Sequence, residues 1–425
     1  MYKTIRIGGV TFLFSPLAHI ETASLGIFLK TGARFEPAQQ KGIAHFVEHL
    51  LFKGSASCSY KKIKREIEGR GGALNGFTSQ EMTAYYAHFL KKNLKSTLPI
   101  LLDMVFFPLF KEKDIRKERN VILEEIKMYN DLPSSRVITV LDELLWRNHP
   151  LGTDVIGDEA SVARIRRSDL IRFHRKFYRN SNVVVSCSGN FSEEQLMKML
   201  VSKLPSLRRA RMPRAYPPRR LGSLRVSVES RPLEQTYLCI GFRAVPWDHP
   251  ARPALEILNV LLGANMSSRL FEEVREKKGL CYDVSTEVRK YRDSGGFVIH
   301  LGLDKRNLLA AFRTILKELK KISRIPVPSS ELARAKDFYL GQVAMGLEQP
   351  QGRMFYQAKS HISLGKVDSF DVLRHTIEKV SPGEIRRMAG RVFDLKKAAV
   401  SCVGNVPQSI EERLRKVIRK GGSYR

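Results

Sequence analysis

"VVVSCSGNFSEEQL" (residues 183–196) and "AAVSCVGNVPQSIEERL" (residues 398–414) are two versions of one phrase. Each runs from an apolar, β-branched stretch through V-S-C-x-G-N into a stretch of helical character. The matching cysteines, Cys187 and Cys402, stand 215 apart. A second pair, "SLGIFLKTGARFEP" (24–37) and "YLCIGFRAVPWDHP" (237–250), recurs at an offset of 213. Two matches at nearly one offset indicate a unit written twice. Between the copies, "SLRRARMPRAYPPRRLGS" (206–223) is rich in Arg and Pro and reads as a linker. The expected organisation is a first half at 1–205, the linker at 206–223 and a second half at 224–425.

Hydrophobic periodicity predicts strands over 3–8, 10–15, 23–31, 73–78, 83–89 and 182–188. It predicts helices over 41–53, 60–69, 91–106, 112–130, 134–147 and 167–178. The second half repeats the pattern, with strands near 224, 236, 281, 295 and 398. Strands grouped in hairpins, with helices between the groups, indicate an α+β fold. The expectation is two homologous halves, each a mostly antiparallel sheet with helices packed on one side.

The bulk composition narrows the function classes. In 425 residues, 43% are hydrophobic and 22 are Phe, ample for full cores. The five cysteines are scattered, without a C-x-x-C pair, which argues against a disulfide framework or a cysteine metal site. No apolar run approaches the length of a membrane span, and no charged leader with an apolar core opens the sequence. A cytoplasmic protein is therefore expected. The net charge of +30 could attract nucleic acid, anionic surfaces or acidic peptides. Because the Lys and Arg are dispersed and no nucleic-acid motif accompanies them, a nucleic-acid partner is not expected.

"GIAHFVEHLLFKGS" (42–55) is an apolar helix broken by three polar residues. His45, Glu48 and His49 stand at i, i+3 and i+4, on one helical face. Two imidazoles four apart can share a tetrahedral metal, with the acid between them beside an open position. The order H-x-x-E-H is the inverted form of the zincin motif. Two histidines need a third protein ligand.

"KERNVILEEIKMYN" (117–130) offers one. On a wheel of about 100° per residue, Ile115, Ile126 and Tyr129 cluster about Ile122. Glu118 and Glu125 fall within about 60° of that apolar centre, and Glu124 points nearly opposite. Acids on a buried face are costly unless paired or metal-bound. Glu125 is thus the candidate third ligand and Glu118 a partner to the ligands. A solvated acidic run is the other reading that this pattern leaves open.

Taken together, "TGARFEP", "KGIAHFVEHLLFKGS", "GGALNGFTSQEMTAYYAHF" and "ERNVILEEI" resemble the pitrilysin and insulinase family of zinc peptidases. The likeness is closest to the branch of the mitochondrial processing peptidase β-subunit and its bacterial relatives, and it covers essentially the whole chain. It implies one Zn²⁺ per chain, held by His45, His49 and Glu125, with Glu48 as the general acid and base. At an offset of 213 the motif residues fall on Leu258, Leu261 and Leu262, so the second copy has lost the metal. That copy carries "SSRLFEEVREKKGLCYDV" (267–284), where the resemblance assigns Arg275 and Tyr282 to the substrate carbonyl.

The resemblance further implies that "GGALNGFTS" (71–79) is an edge strand to which substrate adds, with Asn75, Gly76 and Phe77 as contacts. A simple glycine turn is equally compatible with those residues. Family members build a closed chamber from four such halves, so a homodimer acting on peptides or unfolded segments is implied. The rival expectation is a catalytically inactive structural homologue, a kind of relative that the family also contains.

Overall fold

In the first half, alternating apolar residues build a six-stranded sheet; the computed structural model describes residues 2–204, 215–219 and 221–420. Its strands are β1 (Lys3–Ile7), β2 (Val10–Pro16), β3 (Thr22–Leu29), β4 (Ala73–Thr78), β5 (Thr83–Leu90) and β6 (Val183–Gly189). They lie in the order β1-β2-β6-β3-β5-β4, with only β2 and β6 parallel. The second half forms a five-stranded sheet from β7 (Arg225–Ser230), β8 (Thr236–Ala244), β9 (Asp283–Lys290), β10 (Gly295–Leu303) and β11 (Ala399–Gly404). Its order, β7-β11-β8-β10-β9, repeats β2-β6-β3-β5-β4, and its parallel pair, β7 and β11, falls in the same place. The repeated phrase is thus the strand at the parallel junction of each sheet. All five cysteines are free.

Side chains of each strand alternate between two buried faces, as the pleat requires. In the first sheet Phe12, Phe14, Leu25, Ile27, Tyr85, Ala87, Val183 and Val185 share one core with the helices Ile43–Leu51, Leu94–Phe106 and Arg167–Phe177. Leu13, Phe28, Ala84 and Val184 face the other way, onto Met354 and Ala358 of helix Pro350–Leu364. Helices from the same half therefore pack on one side, and the opposite side takes a single helix from late in the chain.

The second sheet does the same in reverse. Its extra helix is Pro133–Leu145, whose Val137, Leu141 and Leu145 pack on Cys239, Ala399 and Val403. Equivalent details seat both helices. The hydroxyl of Ser186 donates to the Met354 carbonyl at 3.0 Å, and that of Ser401 to the Val137 carbonyl at 2.6 Å. At Gly26 a Cβ would meet Met354 Sδ at 3.0 Å, and at Gly241 one would meet Leu145 Cδ1 at 2.7 Å.

Contacts accordingly divide the chain into one unit of Met1–Lys127, Thr153–Ala215 and Ala344–Ser369, and another of Met128–Gly152, Tyr216–Val343 and Phe370–Arg425. Of the expected linker, 215–219 and 221–223 belong to no helix or strand, and the rest lies outside the described residues. No described helix is long and apolar enough to cross a membrane. Leu141 is fully buried in the second unit, so Leu141→Ala should lower stability by about 2–5 kcal/mol in urea unfolding. An unchanged midpoint would contradict this seating of the helix.

Candidate metal centre

The motif helix, Ile43–Leu51, has eight of its nine residues buried. It starts at Gly42, whose φ of +85° suits glycine, and where a Cβ would meet the Ile156 carbonyl oxygen at 2.4 Å. The Glu36 carboxylate accepts the Gly42 and Ala44 N–H groups, each at 2.8 Å. Two donors at the start of the helix, which have no partner within it, are thereby satisfied. Ile43, Ala44, Phe46, Val47, Leu50 and Leu51 point into the core. What remains of the surface carries His45, Glu48 and His49, with the two imidazole centroids 4.5 Å apart.

Helix Glu112–Asp131 crosses opposite and buries Ile115, Glu118, Ile122 and Ile126. Glu125 Oε2 lies 3.6 Å from His49 Nε2 and 3.9 Å from His45 Nε2. Ligand atoms of His45, His49 and Glu125 all fall within 4.8 Å of one another, close enough to hold one metal ion. Glu124 points to solvent and pairs with Lys127 at 2.8 Å.

The donor set fits a tetrahedral zinc ion with one open position: two imidazoles and a carboxylate. Its electrostatics fit as well. Burial, with a smaller contribution from His49, pushes the His45 imidazole down to about 3, so it is neutral and offers a lone pair. Burial also raises the Glu125 carboxyl above its ordinary range; His49 opposes this and Asp154 adds to it. A cation between these groups relieves that cost. Glu118 Oε2 accepts from His49 Nδ1 at 3.3 Å, which leaves the lone pair of His49 Nε2 free for a metal ion on the side of Glu125. Burial would raise Glu118, but its bonds to His49 and to Lys53, the latter at 2.7 Å, hold it below its ordinary value.

Glu48 is not one of the three donors. Burial raises its carboxyl above the usual range, against a hydrogen bond from Thr78 and the charge of His49. The Thr78 hydroxyl donates to Glu48 Oε2 at 2.6 Å. Sequence reading missed this partner, and Glu36 too. Each lies on a separate element, and nothing in the spacing ties residue 78 or 36 to the motif.

Asn75, Gly76 and Phe77 lie on β4, the edge strand of its sheet. Gly76 faces the motif-helix side, where a Cβ would meet the Phe52 ring at 3.0 Å. Phe77 faces the other way, onto Tyr86 and Phe355, and the pleat places Asn75 on that same face. Asn75 Oδ1 accepts the Gly76 N–H at 3.0 Å.

Arg275 and Tyr282 belong to the second unit. The Arg275 guanidinium stands 4.6 Å over the Phe271 ring, within the helical turn Phe271–Glu276. Tyr282 is 47% exposed, and its N–H donates to the Gly302 carbonyl at 3.1 Å. Its ring closes over Gly302, where a Cβ would meet the hydroxyl at 2.2 Å. Burial and the neighbouring Tyr237 raise its phenol. Leu258, Leu261 and Leu262 are buried in the core of their unit.

The duplicated fold and its His–His–Glu group are those of a metallopeptidase family. Residues 15–159 match the model described as insulinase, peptidase family M16. Residues 164–339, a stretch that includes the three leucines, match the peptidase M16 inactive domain. YmxG of Bacillus subtilis, named an uncharacterized zinc protease, is 32% identical over 401 residues, or 94% of this chain and 98% of that one. Rv2782c of Mycobacterium tuberculosis, named likewise, is 32% identical over 423 residues, or 98% and 96%. The crystal structure of a protease from Helicobacter pylori matches in fold with a TM-score of 0.90 at 20% identity, covering 95% and 99%. The chain belongs to the insulinase family, peptidase family M16.

Metal content separates the two adjacent glutamates. Glu125→Gln should lose bound metal after dialysis, whereas Glu124→Gln should retain it. Glu118→Gln should weaken metal affinity about 10–100-fold, as loss of a histidine's carboxylate partner does elsewhere. Equal retention by all three variants would refute the assignment.

Proposed function

We propose that this protein is a zinc-dependent endopeptidase that hydrolyses peptides or unfolded polypeptide segments. The observation that carries the proposal is the convergence of His45, His49 and Glu125 donor atoms beside a buried, unligated Glu48. When bound to those donors, one zinc ion per chain supplies Lewis acidity toward water and a scissile carbonyl. Glu48 takes the proton of the attacking water and returns it to the leaving amine. Its raised carboxyl suits a group that must both accept and release a proton. Glu118 orients His49 through Nδ1. The family resemblance assigns Arg275 and Tyr282 to the developing oxyanion, where a guanidinium and a phenol can donate.

Substrate enters this reading through β4. An edge strand presents unpaired N–H and C=O groups, so an extended peptide can add to it along Asn75, Gly76 and Phe77. With two halves per chain, the resemblance points to a homodimer that encloses a chamber. The +30 charge favours acidic or neutral peptides over basic ones. The rival reading, an inactive structural relative, finds its support in the second half, which matches the inactive domain and carries leucines at the motif positions.

Cleavage of a mixed peptide library, read by mass spectrometry alongside zinc content, decides between the two. Wild type should bind zinc and cleave, and a chelator should abolish cleavage until zinc is restored. Glu48→Gln should keep its zinc and lose about 10²–10⁴-fold in kcat. A zinc-loaded wild type that cleaves nothing would point to a missing partner chain or to the inactive reading.

A further inference from the structure

The surroundings of Glu48 assign a role to a residue outside the H-x-x-E-H motif. We propose that Thr78 is the positioning residue for Glu48, holding one carboxylate oxygen so that the other faces the attacking water. This rests on the peptidase reading above.

Three observations carry it. The first is the bond itself: Thr78 Oγ1 donates to Glu48 Oε2 at 2.6 Å, leaving Oε1 for the proton. An acceptor bond at Oε2 survives when Oε1 is protonated, so the same contact serves both halves of a proton-transfer cycle. The second is need. The last torsion of a glutamate is soft and nearly two-fold, so burial alone does not fix the plane of the carboxylate. No other hydrogen bond to the Glu48 carboxylate is formed among the described residues.

The third is rigidity at the donor end. Thr78 closes β4, paired with Thr83. The turn that follows is pinned from both sides. Ser79 N–H donates to Met82 O at 2.8 Å, Ala33 N–H to Ser79 O at 3.1 Å and Arg34 N–H to Gln80 O at 2.9 Å. Arg34 also pairs with Glu81 at 2.5 Å. Two residues on from Arg34, Glu36 holds the start of the motif helix. Donor and acceptor are therefore tied to one short segment, 33–36, which keeps them in register. Thr78 also lies on the strand proposed to receive substrate, so the peptide and the general base are referred to the same backbone.

The experiment compares wild type, Thr78→Val, Thr78→Ser and Glu48→Gln on one cleaved peptide, with kcat, KM, zinc content and thermal unfolding measured for each. Valine keeps the size and β-branching that suit a strand but removes the hydroxyl. Thr78→Val should lose about 10–100-fold in kcat, the scale of an ångström-level misplacement, with KM, zinc content and melting temperature near wild type. Thr78→Ser should restore most of the rate. Wild-type kcat in Thr78→Val would overturn the proposal. So would a loss shared by Thr78→Ser, or one that follows zinc content or KM. Thr78→Ala provides the same comparison should valine disturb folding. An inert wild type would instead overturn the peptidase reading and this role with it.

Discussion

The rotation of helix Ile43–Leu51 about its own axis is set by apolar burial, and the polar site inherits its geometry from that. Ile43, Phe46, Val47, Leu50 and Leu51 all lie in the core. Exposing a large apolar side chain costs about 1.5–3 kcal/mol, so turning the helix by one residue would cost several such terms at once. No surface ion pair, at about 0–1 kcal/mol, competes with that. Glu36 and the left-handed Gly42 then fix where the helix begins. With rotation and start both determined, His45, Glu48 and His49 have no choice of direction.

The acids opposite are sorted by the same logic. Glu118 is buried but satisfied, between His49 and the Lys53 ammonium. Among the described residues Glu125 meets only the two imidazoles at ion-pair distance, and one of those is held neutral by burial. Two carboxylates on one helix, seven residues apart, therefore have opposite needs. Glu118 has its cation already, and Glu125 is short of one. A divalent ion at the three donors would supply the missing charge. This is why the centre reads as a metal site and not as an ion-pair network.

Much of this was legible in the sequence, because it depends on local periodicity. The strands and helices of the first half fall within a few residues of where alternation and helical spacing place them. The wheel on residues 117–130 put Glu118 and Glu125 on the buried side of Ile122, where they lie, and Glu124 on the solvent side. Other features resisted because they are long-range. An amphipathic helix announces that it has an apolar face without saying which sheet covers it. Hence Pro133–Leu145 and Pro350–Leu364 gave no sign of packing with strands distant in sequence. Thr78 was invisible for the same reason, and Glu36 because its bonds go to backbone N–H groups, which carry no side-chain signature. A single hydrogen bond between residues 30 apart leaves no period behind.

The second half serves as an internal control on what the first half retains. Counted from the starts of equivalent 20-residue helices, Glu118 and Glu125 correspond to Ala335 and Gln342. The motif positions correspond to Leu258, Leu261 and Leu262, all buried. One copy of the fold thus places three buried leucines, a buried alanine and an exposed glutamine where the other places two histidines and three glutamates. Replacing buried charged groups by apolar ones of similar volume is often neutral or stabilising. The apolar solution is therefore open to this fold without loss of its architecture. Within the polar set Glu118 and Glu48 have protein partners, and the His45, His49 and Glu125 donors are the ones a cation would join. Its presence in one half beside its absence in the other confines the donors that could hold a metal to one copy of the fold.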